Sequence, residues 1–200
     1  AACERLSDGD FLAVDTEFHR ETTYWPQVCL IQVANADYDV LVDPLANGLD
    51  LSPLLKLLAD TSKVKVFHAA RQDLEIFTRL IGHTPAPIFD TQIAAMACGL
   101  GDSISYENLV SRVLKGTVDK SSQFTDWARR PLSEKQLRYA RGDVVYLRKI
   151  YRILSEKLAK QNRTNWVADE HDAELDPEIY AFNPETAWKR QKIRKYKSDY

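Results

Sequence analysis

The stretch FLAVDTEFHRETTYWPQVCLIQVANADYDVLVD, residues 11–43, contains three β-rich runs that decide the fold class. The runs cover residues 11–18, 27–34 and 38–43, and they are rich in the β-branched and aromatic residues that favour strands. Asn35-Ala36-Asp37 separates the last two runs and supplies the polar residues that turns prefer. We therefore expect these two runs to be consecutive strands joined by a tight turn.

Helix and strand patterns alternate along the rest of the chain. The predicted strands cover residues 63–69 and 86–90, and the predicted helices cover residues 51–60, 71–82, 91–99, 105–115 and 133 to about 160. Asp90 is a candidate N-cap of one helix, and Ser133 with Gln136 has the spacing of a capping box for the longest one. Strands first, followed by alternating helices and strands, predict an α/β fold with a mixed sheet flanked by helices.

Composition favours one ordinary globular domain. The chain has 200 residues, of which 44% are apolar and 28% are charged. It contains no apolar run near the ~18 residues that a membrane span needs, so no membrane partner is expected. The N-terminal stretch lacks a secretory pattern, and the three scattered residues Cys3, Cys29 and Cys98 favour a reducing compartment. These features predict a cytoplasmic protein.

Charge is unevenly distributed towards the C-terminus. Residues 1–166 hold 21 basic and 21 acidic residues, whereas residues 167–187 hold 7 acids and no Lys or Arg. Residues 188–200 hold 6 basic residues and one acid. The last run is a candidate nucleic-acid patch, and a solvated linker is an equally good interpretation of it taken alone.

Four acids lack an obvious counter-charge. Asp15 and Glu17 are two residues apart on a predicted strand, so their side chains leave the same face. Asp73 and Asp143 lie on predicted helices, and none of the residues three or four positions from either acid is basic. Helix-dipole stabilisation explains Asp73 in a first turn, but it does not explain all four acids.

A bound divalent cation would account for the four acids together. Carboxylates gathered near a core would otherwise repel one another and take up protons. Hard cations such as Mg²⁺ or Mn²⁺ prefer carboxylate oxygens, and four acids can hold two such ions for phosphodiester cleavage. Tyr139 precedes Asp143 by one helical turn, where its hydroxyl could orient or deprotonate the attacking water.

Three motifs in the chain resemble those of a known superfamily. VDTEF (14–18), HAARQD (68–73) and YARGD (139–143) resemble the three exonuclease motifs of the DEDD superfamily, in order and separation. The tyrosine four residues before the last acid is typical of its tyrosine branch. The surrounding sequence of residues 10–160 is similar to the bacterial ribonuclease D family.

The resemblance implies an RNase H-like fold and stepwise 3′→5′ hydrolysis of RNA, which releases nucleoside 5′-monophosphates. It implies two divalent cations, with Asp15, Glu17 and Asp143 holding one ion, Asp15 bridging to the second, and Asp73 supporting that second ion. It also implies that Tyr139 positions the nucleophile. The expected partner is RNA with a free 3′ end, such as a tRNA precursor, and the oligomeric state stays open.

Two further residues are weaker candidates for substrate binding. Phe18 follows Glu17 and could stack on the terminal base, although core packing explains it equally well. His68 opens the second motif and resembles the histidine that the family has there, and a structural histidine is the competing interpretation.

The resemblance also suggests how the chain is divided. We expect a DEDD exonuclease domain over residues 1–165 and a linker over residues 166–200, first acidic and then basic. The linker would lead towards an HRDC-like domain that is absent from these 200 residues.

Two other functions compete with the exoribonuclease interpretation. One is a DNA 3′→5′ exonuclease of the same superfamily. The other is a catalytically silent RNA-binding module, which would have no need of all five motif residues.

Overall fold

A computed structural model describes residues 1–20, 23–182, 184 and 185 of the chain. In order along the chain, the elements are α1 (Ala2–Leu6), β1 (Phe11–His19), β2 (Gln27–Ala34), β3 (Asp39–Val42), α2 (Ser52–Leu58), β4 (Val64–Phe67), α3 (Arg71–Ile81), β5 (Ile88–Asp90), α4 (Thr91–Ala97), α5 (Tyr106–Leu114), α6 (Glu134–Lys160), α7 (Thr164–Glu174) and α8 (Pro177–Tyr180). Every strand and helix predicted from the sequence is present, with ends displaced by a few residues.

The five strands form one mixed sheet in the order β3-β2-β1-β4-β5. β2 is antiparallel to both β1 and β3, whereas β4 is parallel to both of its neighbours. The turn between β2 and β3 is closed by Asn35, whose side-chain oxygen accepts hydrogen bonds from the backbone of Asp37 and Tyr38. These findings confirm the predicted mixed sheet and its tight turn.

Helices cover both faces of the sheet. On one face, Ala13 and Ala34 belong to a buried cluster with Val144 and Leu147 of α6. On the other face, Leu12 and Val14 belong to a larger cluster with residues of α2, α3 and α8. Alternate residues of β1 therefore serve different cores, and the odd-numbered ones face α6.

The long helix α6 starts where the sequence predicts it. Ser133 is the N-cap, and its hydroxyl accepts from the Gln136 backbone while the Gln136 side chain accepts from the Ser133 backbone. Gln136 also donates through Nε2 to Thr125 Oγ1 at 3.1 Å. The capping box that begins α6 is thus also tied to the preceding loop.

Residues beyond 165 continue to pack on the sheet as far as residue 180. His171 on α7 accepts a hydrogen bond from the Asp90 backbone N–H at 2.8 Å, and Tyr180 on α8 is buried. Arg71 pairs with Glu174, with Nη2 and Oε1 2.7 Å apart. The proposed domain boundary at residue 165 stays a prediction, but the first part of the proposed linker is helical and packed.

The basic run at residues 188–200 lies outside the described residues. Within the described part of the chain, no helix combines the length and apolarity that crossing a bilayer requires.

Candidate active site

The end of β1 carries two of the four predicted acids. Asp15 and Glu17 are half-buried on the face towards α6, and Thr16 between them points to the opposite face and is buried. Thr16 Oγ1 donates a hydrogen bond to the Asp73 carboxylate at 2.5 Å, which links β1 to α3. The pairing of β1 with β2 is interrupted between Glu17 and Phe18, so a bulge re-aims the strand at this position.

The third motif brings Asp143 to the same place. Asp143 is buried on α6, and oxygens of Asp15, Glu17 and Asp143 all lie within 4.8 Å of one another. No ion pair recorded among the described residues involves these three acids or Asp73. The sequence predicts that Asp73 and Asp143 have no basic partner nearby on their helices. Among the described residues, the tertiary structure brings no basic partner to any of the four acids either.

The turn before α3 presents Asp73 to the site, and hydrogen bonds to Asp90 hold this turn in place. The Asp90 carboxylate accepts hydrogen bonds from the backbone N–H groups of Ala69, Ala70 and Gln92 at 3.0, 2.8 and 2.7 Å. Ala69 has a φ of 56°, in the left-handed region, immediately before α3. Asp90 is thus the predicted helix cap, and it also fixes the backbone that presents Asp73.

Burial raises the pKa of every acid in the cluster. It raises the pKa of Glu17 to about 10, assisted by the negative charges of Asp15, Asp143 and Asp73. It raises the pKa of Asp143 to about 7. The pKa values of Asp15 and Asp73 are also raised, by burial and then by the charges of Asp143 and Asp15 respectively. Without a cation, the Glu17 carboxyl would therefore keep its proton at neutral pH, and the Asp143 carboxyl would be about half protonated.

The three clustered carboxyls fit a hard divalent cation. Their ligand atoms are all oxygen, and their separations allow one ion to contact all three. Positive charge at this point would remove the repulsion that raises the pKa of Glu17 and would favour ionised carboxylates. Asp73 lies beside the trio rather than within it, joined through Thr16.

A pocket opens over the cluster. It is lined by Asp15, His68, Tyr106, Tyr139, Asp143 and Leu147, and its volume of about 120 Å³ has room for several waters or ions. Tyr106 is a residue that sequence reasoning missed. Its hydroxyl donates to the backbone carbonyl of Asp143, which ties α5 to the turn of α6 that carries the acid. No local sequence pattern indicates this contact, because the two residues are 37 positions apart.

Tyr139 is held against the pocket wall by an aromatic neighbour. Its ring lies 5.9 Å from the ring of buried Trp127, measured between centroids. Burial, followed by the charges of Asp143, Glu17 and Asp15, raises the pKa of the Tyr139 hydroxyl above its ordinary value. The hydroxyl therefore keeps its proton at neutral pH and is available as a hydrogen-bonding group beside the acids.

Comparison with known sequences identifies the family of this arrangement. The sequence model of the 3′-5′ exonuclease family matches residues 1–159 of the chain. The chain belongs to the 3′-5′ exonuclease family. The resemblance inferred from the three motifs is therefore confirmed.

This chain has relatives named ribonuclease D. It is 53% identical over 198 residues to Ribonuclease D of Jannaschia sp. (strain CCS1), covering 97% of this chain and 51% of that protein. Its fold matches the crystal structure of Escherichia coli RNase D with a TM-score of 0.86 at 38% identity, covering 94% of this chain and 50% of that chain. This likeness confirms the RNase H-like fold. The chain spans about half the length of both relatives.

A shorter relative is similar over nearly all of its length. Brucella melitensis NrnC, solved with bound Mg²⁺ and also bound to pGG, matches with a TM-score of 0.77 at 26% identity. The match covers 96% of this chain and 92% of NrnC.

His68 and Phe18, the two weaker candidates for substrate binding, lie in different surroundings. His68 lines the pocket, and its ring nitrogens contact Thr91 Oγ1 at 2.9 Å and the Ile104 carbonyl at 3.1 Å. Phe18 is half-buried beside the bulge and is not among the residues that line the pocket. Both substrate-binding roles stay predictions, and the partners of His68 favour a positioned histidine in the pocket wall.

Proposed function

We propose that the chain is a 3′→5′ exoribonuclease that removes nucleotides one at a time from RNA and releases nucleoside 5′-monophosphates. The observation that carries this proposal is the convergence of Asp15, Glu17 and Asp143 within 4.8 Å, in a chain of the 3′-5′ exonuclease family. The presence of Tyr139 and Asp143 in the lining of one pocket supports the role proposed for the tyrosine.

We assign the binding of two divalent cations, Mg²⁺ or Mn²⁺, to the four acids. Asp15, Glu17 and Asp143 would hold one ion, and Asp15 would be shared with a second ion that Asp73 supports. Bound there, the cations supply positive charge to the attacking water and to the departing 3′ oxygen. The bound Mg²⁺ in the NrnC structure supports the choice of metal.

The chain's own residues position the attacking water and the acids. Tyr139 hydrogen bonds to the attacking water and aims its oxygen at the last phosphodiester phosphorus. The water oxygen forms a bond to phosphorus and the water loses a proton to solvent. The bond from phosphorus to the 3′ oxygen of the penultimate nucleotide breaks, and that oxygen takes up a proton from solvent to become the new 3′ hydroxyl. Tyr106 keeps the backbone of Asp143 in place, and Asp90 keeps the turn before Asp73 in place.

The proposed substrate is RNA with a free 3′ end, including tRNA precursors. Its support is the similarity to ribonuclease D proteins and to E. coli RNase D, which is described as an exoribonuclease involved in structured RNA processing. We also propose a cytoplasmic location, because the three cysteines are all free in the structure.

The deciding experiment compares 3′-labelled RNA and DNA of one sequence, each with Mg²⁺, with Mn²⁺ and with excess chelator. We expect stepwise loss of the RNA label with either metal and no loss with chelator. Preferential cleavage of DNA would favour the DNA exonuclease. Binding of RNA without cleavage under any condition would favour the silent module, and full activity in chelator would end the metal assignment.

A further inference from the structure

Gln32 is a buried polar residue without a visible purpose in the core. It lies in the middle of β2, an interior strand, and its side chain is 0% exposed. Its sequence neighbours Ile31 and Val33 are buried and apolar. Within the described part of the chain, neither Nε2 nor Oε1 of Gln32 has a hydrogen-bond partner. A buried amide without a partner is destabilising, so an apolar residue would suit this position better unless the amide has a task.

The register of the sheet places Gln32 next to the proposed metal ligand. Gln32 is paired directly with Asp15 across β1 and β2. Side chains that are directly opposite in an antiparallel pair leave the same face, with their Cβ atoms about 4.5–5.5 Å apart. The Gln32 amide and the Asp15 carboxylate therefore extend from neighbouring positions on the same face of the sheet.

The packing of α6 closes the space around this pair. Leu30 and Ala34, which share the face of Gln32, belong to buried clusters with Ala140 and Val144 respectively. These two α6 residues flank the turn that carries Asp143. Gln32 is thus enclosed between the sheet and the catalytic turn of α6, where water cannot freely satisfy it.

We propose that Gln32 is a positioning residue for the metal ligand Asp15. Its Nε2–H group donates a hydrogen bond to the Asp15 carboxylate when that carboxylate is ionised around a divalent cation. The bond fixes the orientation of Asp15, as outer hydrogen-bond partners do for many metal ligands. This inference rests on the proposed function, because it requires that Asp15 binds a metal.

The test substitutes Gln32→Met, which keeps the length of the side chain and removes both hydrogen-bonding groups. Mn²⁺ binding to the metal-free protein is measured through the electron paramagnetic resonance signal of free Mn²⁺, without RNA. We expect the affinity for Mn²⁺ to fall by about 10–100-fold. The melting temperature of the metal-free variant should not fall, because an unpartnered buried amide has been removed.

Thr78→Val is the matched control. The Thr78 hydroxyl is also buried without a partner among the described residues, but it lies on α3 five positions beyond Asp73 and does not line the pocket. This variant should bind Mn²⁺ as the wild type does. An equal loss of affinity in both variants would mean that any change in the core weakens the site, and it would overturn the role of Gln32.

A second measurement uses the wild-type protein and holds even if Gln32→Met fails to fold. The side-chain ¹⁵N resonance of Gln32 should shift during titration with Mg²⁺, whereas that of Gln161, at the C-terminal end of α6, should not. A Gln32 resonance that stays constant while Mg²⁺ binds would overturn the proposal, as would Mn²⁺ affinity in Gln32→Met within twofold of wild type. A wild-type protein that binds neither ion would instead refute the proposed function.

Discussion

The substitution Asp143→Asn should abolish the metal site and yet stabilise the metal-free protein at alkaline pH. Burial raises the pKa of Asp143 from its ordinary value of 3.8 to about 7, so the folded state holds a proton that the unfolded state loses. Between about pH 4 and pH 7, wild-type stability therefore decreases as the pH rises. A rise of about three pKa units corresponds to at most about 4 kcal/mol above pH 7.

The uncharged amide of the Asp143→Asn variant avoids this loss of stability. It introduces a smaller loss of its own. A buried amide that lacks some hydrogen bonds costs about 1–3 kcal/mol. We therefore expect a net gain of about 1–3 kcal/mol at pH 8.5. In a chain of this size, that gain raises the melting temperature by roughly 3–9 °C. At pH 5 only about 1.6 kcal/mol of this loss has developed, which is close to the cost of the buried amide, so the two proteins should be about equally stable.

The assay is thermal unfolding of both proteins at pH 5, 7 and 8.5, with chelator and with 10-fold steps of Mg²⁺. With chelator, the difference in melting temperature should move in favour of the variant as pH rises. With Mg²⁺, wild type should gain stability and the variant should gain little. A difference between the two proteins that stays constant from pH 5 to pH 8.5 would refute the electrostatic reasoning, and equal stabilisation by Mg²⁺ would refute the role of Asp143 as a ligand.

Three further outcomes are expected. Tyr139→Phe should lower kcat by about 10²–10⁴ while Mn²⁺ affinity stays unchanged, and wild-type kcat would reduce Tyr139 to a packing residue. Thr16→Val removes the hydroxyl that bonds to Asp73 and should raise the Mn²⁺ concentration for half-maximal activity about 10-fold, whereas an unchanged metal requirement would contradict that link. Deletion of residues 188–200 should flatten the slope of log K for single-stranded RNA against log salt by about 1–3 units, because each phosphate contact contributes about 0.7; an unchanged slope would favour the solvated linker.

The fold and the acid cluster could be predicted because the sequence patterns that indicate them involve residues close together in the chain. Turn residues bound the apolar runs that form β1 and β2, and the capping box of Ser133 and Gln136 marks the start of α6. Asp73 and Asp143 were conspicuous because neither has a basic neighbour three or four positions away, and Asp15 and Glu17 because two acids lie together on one strand. Such absences can be read from sequence, since ion pairs on helices are mostly local.

The helices after residue 160 could not be predicted for an equally physical reason. α7 buries only Val167 and His171, so it has almost no apolar stripe to produce a periodic pattern. It is held instead by specific contacts, such as the hydrogen bond from the Asp90 backbone to His171. Contacts of this kind join residues 81 positions apart, and composition does not reveal them.

The residues that position the acids were hidden from sequence for the same reason, and they explain how the cluster can exist. Four carboxyls with raised pKa values oppose one another, so a flexible chain would separate them. Thr16 holds Asp73 from 57 positions away, and Tyr106 holds the backbone of Asp143 from 37 positions away. Because these partners are hydrogen-bond donors rather than cations, they fix the acids without neutralising them. The counter-charge is thus left to a bound metal ion, and the metal-free protein loses stability as carboxyls with raised pKa values ionise.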